Sequence, residues 1–141
     1  MSVIKAKRSE GKLQVLIQAN NLCVYTVQIC KNEKYFPKSQ RWMFTQKITS
    51  EAIDALTDIR KANATLVDGT EEHYRIRSEY QTKAHAHLGA LYALADIAFN
   101  MNSGLSSDQV AYWTSLIRDT DEKLKAWIRS DKKIYQEKHG E

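Results

Sequence analysis

A chain of 141 residues is the size of one domain, and at that length roughly two-thirds of the unfolded surface can be buried, so its core needs neither a metal nor a disulfide. Hydrophobic residues make up 43% and charged residues 27%, a balance that argues against disorder. A net charge of +4 permits nucleic-acid binding without demanding it, and one proline with five glycines is too sparse a set of turn residues for a sheet protein, so helices are favoured.

The amino-terminal stretch is basic but no long apolar run follows it. Gln14, Gln18, Asn20, Asn21 and Gln28 break the segment from Leu13 to Cys30, which reads as neither a signal peptide nor a membrane span. A cytoplasmic location is the default expectation. Ser9 and Glu10 could open a first helix. Leu13, Leu16, Ile17, Asn20, Val24, Val27 and Cys30 then recur at three- and four-residue steps and mark one face. Cys23 and Cys30 lie seven residues apart, about 10.5 Å of helical rise, too far for a disulfide within the helix. They read as small core residues. The helix should stop near Asn32.

Pro37 suits the first turn of a second helix, where its missing N–H costs nothing. Phe44, Ile48, Ala52, Ala55, Leu56, Ile59 and Ala62 continue the apolar stripe, and Asn63 to Thr70, with Asp68-Gly69, reads as a loop. A third helix is expected from about Glu71 to Asn102, with Tyr74, Ala84, Leu88, Leu91, Ala95, Ala98 and Phe99 on its apolar face and Gly104 as a left-handed stop. Ser106 and Gln109 have capping-box spacing and Leu105 with Val110 have hydrophobic-staple spacing, so a fourth helix starts there. Val110, Trp113, Ile117, Leu124, Trp127, Ile128 and Ile134 follow it at nearly heptad steps. Short loops imply antiparallel neighbours. The expectation is an all-α protein, a single antiparallel up-down-up-down four-helix bundle over residues 1–141, with 1–8 and 136–141 frayed.

No phosphate-binding glycine loop, dinucleotide fingerprint or nucleophile elbow occurs. His85 and His87 form a His-Ala-His, but two residues apart on a helix they point to nearly opposite sides and cannot chelate one metal. Nor is there a Glu-x-x-His pair of the kind that di-iron bundles use, so neither a metal nor another cofactor is expected. Trp113 and Trp127 fall in the fourth helix's apolar stripe and read as core or interface residues. Trp42 is offset from its own stripe, where it could meet an oligomer interface. In such a bundle Lys5, Lys7, Arg8, Lys12, Arg60, Lys61, Arg75, Arg77, Arg129, Lys132 and Lys133 would gather at one end among acids. Lys31, Lys34, Lys38 and Arg41 would gather at the other with fewer acids. Ring symmetry would multiply either patch into a belt.

Phe36-Pro37-Lys38 with Arg41, Phe44, Lys47 and Ile48 resembles the opening of a bacterial four-helix bundle family. Ala52, Leu56, Ile59, Ala62 and Asn63 are similar to its second helix. Gly104-Leu105-Ser106, Gln109, Trp113, Ile117, Leu124 and Trp127-Ile128 are similar to its last, while the middle of the third helix matches only in apolar pattern. Phe44 stands where Leu is usual and Ala126 where Gly is common. The family joins proteins encoded in intervening sequences of bacterial ribosomal RNA genes with the accessory variability determinants of diversity-generating retroelements. The resemblance implies a homopentameric barrel, basic on its surface and without chemistry of its own. It would bind a reverse transcriptase and nucleic acid, RNA or a DNA–RNA hybrid, and support mutagenic copying of a template. On that reading Lys38, Arg41, Lys47, Arg60, Lys61, Arg75 and Arg77 would contact phosphates or acidic patches on the enzyme. The alternative within the same family is a structural or interaction protein of the ribosomal-intervening-sequence type with no nucleic-acid role.

Overall fold

The computed structural model of the chain describes residues 2–66, 68–101 and 103–139, with side chains from residue 11 onward. Four helices account for most of it: α1 (Ser2–Lys31), α2 (Gln46–Ala64), α3 (Glu71–Asn100) and α4 (Ser107–Lys138), and among the described residues there is no strand. Helix α1 packs on α2 and α4, and α3 packs on the same two, which is the arrangement of a four-helix bundle. Leu22, Ile48, Ile59, Leu88, Leu91, Trp113, Ile117 and Leu124 are the largest apolar side chains almost wholly withdrawn from solvent, and they come from all four helices.

The stripes expected on α2, α3 and α4 are largely the buried ones. Phe44, Ile48, Ala52, Ala55, Ile59 and Ala62 are all in the core, with Leu56 packed at its edge. On α3, Phe99 departs from this pattern and is nearly half-exposed. On α1 the expectation holds only in part, for Leu16 and Val27 at the core's edge and Cys30 within it. The buried face is Val15, Ala19, Leu22, Thr26 and Ile29, whereas Leu13, Ile17 and Val24 look outward. Both sets obey helical spacing, and a helix apolar on two sides carries no internal mark of which side meets the core.

Helix ends show the same mixture. The Ser106–Gln109 capping box is formed in full, the Ser106 hydroxyl accepting from the Gln109 N–H at 3.1 Å and the Gln109 side chain accepting from the Ser106 N–H at 2.8 Å. Gly104 has φ +93, the left-handed conformation expected of it, and a Cβ there would lie 2.9 Å from the Lys34 carbonyl oxygen, so two loops meet at this point. Helix α1 already runs from Ser2, so Ser9 lies inside the helix and is not its cap. Thr70 caps α3, accepting from the His73 N–H, a cap the sequence reading did not assign. Pro37 does begin helical backbone, but as a 3₁₀ turn (Lys38–Gln40) and a π turn (Arg41–Thr45) that precede α2. The stretches expected to fray are helical from Ser2 and as far as Lys138; Met1, the expected third-helix end at Asn102, and residues 140–141 lie outside the described residues.

Candidate nucleic-acid and partner interface

Polar contacts between helices fix which charged side chains are free. Arg77 is the clearest departure from expectation. It is 4% exposed, donates to Asp131 through Nε at 2.6 Å and Nη2 at 3.2 Å, and lies with its guanidinium 4.8 Å from the centre of the Trp127 ring. Gln81 Nε2 donates to the same carboxylate at 2.9 Å. A guanidinium held in this way cannot reach a phosphate outside the protein, so Arg77 is a structural lock between α3 and α4 and not a contact residue. Lys12, on α1, is close enough to feel this pair: burial holds its pKa below the ordinary lysine value, and the Arg77 charge lowers it further.

Arg75 is exposed but donates to Glu79 at 2.8 Å along its own helix, so its charge is offset locally by a neighbouring carboxylate. Lys61 lies 5.7 Å from the Tyr80 ring, and Arg60 is exposed beside it. These residues sit where α2 ends and α3 begins. Lys38, Arg41 and Lys47 lie at the other end of α2. From Lys47 to Arg60 is about 20 Å of helical rise, so the seven candidates form two groups and not one patch. Lys38 makes only a loose, exposed pair with Glu33 at 3.5 Å. Among the described residues, Lys31, Lys34, Arg41 and Lys47 make no ion pair.

His85 and His87 do diverge, and each finds a carboxylate. His85 Nδ1 lies 2.6 Å from Asp121 on α4; His87 Nδ1 lies 2.6 Å from Glu51 and its Nε2 3.4 Å from Asp58, both on α2. The pair therefore ties α3 to both of its neighbours. Among the described residues no group of three or more His, Cys, Asp or Glu side chains is arranged to hold a metal ion, and no helix is long and apolar enough to cross a membrane. Cys23 and Cys30 are free and buried; burial pushes both thiols up, Cys30 to about 12, so neither is poised as a nucleophile.

Trp113 is fully buried, its indole N–H donating to the Thr26 hydroxyl at 3.0 Å, while that hydroxyl donates to the Leu22 carbonyl at 2.7 Å. Trp127 is buried as well. Trp42 is the opposite, 82% exposed on the π turn, and Met43 beside it is also open to solvent. One further surface stands out. From Leu13 to Cys30 the sequence carries no charged residue, and its outward positions are Leu13, Gln14, Ile17, Asn20, Asn21, Val24 and Gln28. A solvent-facing helix side with apolar residues and no charge is unusual in a chain that is 27% charged. Comparison with family models, with curated proteins and with solved structures gives no match to this chain.

Proposed function

We propose that the protein is a non-enzymatic basic accessory scaffold that binds a retroelement reverse transcriptase and its nucleic acid, in support of mutagenic reverse transcription. It would act as a homopentamer of antiparallel up-down-up-down bundles in the cytoplasm. The observation that carries the nucleic-acid part is the group of exposed cations at the α1–α2 end, Lys31, Lys34, Lys38, Arg41 and Lys47, with Glu33 as the one acid among them. Support for antiparallel helices comes from the order of cross-helix pairs: Arg77 reaches Asp131 and, further along α3, His85 reaches Asp121, earlier in α4. Support for self-association comes from the uncharged outer side of α1. Leu13, Ile17, Asn20 and Val24 keep coiled-coil spacing there, and an asparagine in such a seam favours one register.

The test is binding of the purified protein to RNA and to a DNA–RNA hybrid across salt, together with its mass in solution. Affinity should fall steeply as salt rises, and light scattering should give about five times the 16.2 kDa chain mass. Ile17→Lys should reduce that mass by placing charge on the outer seam. If no nucleic acid binds even at low salt and no reverse transcriptase copurifies, the reading fails. The second reading, an interaction protein with no nucleic-acid role, is favoured by one observation: Arg75 and Arg77, two of the seven expected contacts, are neutralised by Glu79 and Asp131.

A further inference from the structure

We infer that the α1–α2 end binds single-stranded nucleic acid in particular, with Trp42 as a stacking platform for a base and Lys38, Arg41 and Lys47 as its phosphate contacts. The inference rests on the nucleic-acid reading above and adds to it the place, the strandedness and the aromatic residue.

Charge singles out this segment first. Residues 31–47 contain five basic residues and Glu33 alone as an acid, an excess equal to the +4 of the whole chain. Outside the segment, sixteen basic residues meet sixteen acidic ones. The rest of the chain sums to zero but holds a second basic stretch at residues 123–133, five basic residues with Asp131, so this segment is one of two sources of positive potential.

The backbone then explains the tryptophan. An indole normally removes more apolar surface from water than almost any other side chain, so one left 82% exposed needs a cause. The cause is its position on the helical backbone, about half a turn around from the buried Phe44. Phe44 and Thr45 take the inward positions of the π turn at Arg41–Thr45 and Phe44 meets Phe36, with ring centres 6.3 Å apart. Trp42 and Met43 are thereby held outward, next to Arg41. Single π turns inside helical segments are frequent at functional sites.

The turn also borders an open cavity of about 300 Å³, whose lining includes Lys31, Phe36, Arg41 and Gln46 together with the acid Glu33. Cations beside an exposed indole are the parts from which sequence-tolerant single-strand sites are built. A duplex keeps its base faces stacked and could use only the cations.

Three tryptophans are present and two are buried, so quenching on binding reads Trp42. The full chain is titrated with oligouridylate, with duplex RNA and with phosphatidylserine vesicles. Oligouridylate should quench the fluorescence and bind more tightly than the duplex. Trp42→Ala should lower oligouridylate affinity about 5- to 100-fold and leave duplex affinity nearly unchanged, while Trp42→Phe should retain most of it. Lys47→Glu should weaken both nucleic acids and flatten the salt slope, whereas Lys132→Glu at the far end of α4 should change neither by more than about twofold. Unaltered far-UV circular dichroism of the variants excludes unfolding. Binding of nucleic acid without quenching, or with equal loss on both substrates in Trp42→Ala, overturns this inference and leaves the scaffold reading standing. Absence of all nucleic-acid binding sinks this inference, and sinks the scaffold reading as well if no reverse transcriptase copurifies. Binding to vesicles alone overturns both in favour of a membrane surface.

Discussion

Asp131→Ala should be among the most damaging single changes outside the apolar core. The Asp131 carboxylate accepts two bonds from Arg77 and one from Gln81, and the Arg77 side chain is only 5% exposed. Removing the carboxylate leaves a guanidinium with water almost excluded, an indole face on one side and the Lys12 charge nearby. Breaking a buried pair from one side costs about 3–5 kcal/mol, because the remaining charge keeps its desolvation penalty and loses its partner. At roughly 4 °C per kcal/mol for a domain of this length, Tm should drop by about 12–20 °C. Urea unfolding followed by circular dichroism at pH 7, in 0.15 M and in 1 M salt, checks the size and the origin. A buried pair is poorly screened, so the loss should be nearly the same at both salt concentrations. The triple variant Arg77→Met/Gln81→Leu/Asp131→Leu removes every partner together and should return to within about 1 kcal/mol of the parent. It should also keep nucleic-acid binding, since Arg77 is not at the surface. A loss below about 1 kcal/mol for Asp131→Ala, or one that vanishes in high salt, would show that the pair is open to solvent and would refute the burial argument.

Thr26→Val keeps the side-chain volume but strands the Trp113 indole N–H in the core, and should cost about 1–3 kcal/mol in chemical unfolding; no loss would mean the indole has another partner. Asp68 receives the His73 ring N–H and both the backbone N–H and the hydroxyl of Thr70, and these bonds, that of His73 first, hold its pKa well below the ordinary aspartate value. A carboxylate with a depressed folded pKa stabilises the fold above its unfolded pKa of about 3.9, and that contribution is lost as pH falls through the folded value. Stability should therefore decline from about pH 5 downward, and Asp68→Asn should be less stable at pH 7 and show a shallower acid decline. An identical pH profile for the two proteins would remove Asp68 from the account.

Much of the fold can be read directly from residue spacing, because its causes are local. The capping box at Ser106 depends on four consecutive residues, and Gly104 stops a helix because only a residue without Cβ adopts its φ easily. The stripes of α2 and α4 are each bordered by polar residues, so the side that meets the core is unambiguous. Helix α1 lacks that border. Leu13, Ile17 and Val24 are as apolar as Val15, Leu22 and Ile29, and only the positions of α2 and α4 decide which set is covered. The π turn is equally silent in sequence, whereas the outward position of Trp42 already follows from its offset from the Phe44–Ile48 stripe.

The candidate interface divides along the same line. Which residues are basic, and that residues 31–47 hold the whole charge excess, is fixed by composition alone. Whether a given cation is available is a matter of what lies across from it. Arg77 and Lys47 are alike as charges in a chain, yet one meets Asp131 from a helix whose residue number is 54 away and the other meets solvent. Local sequence specifies caps, stops and apolar faces because those interactions span three or four residues. Pairing, burial and the freedom of a charge depend on contacts between segments far apart in the chain, and only the packed bundle decides them.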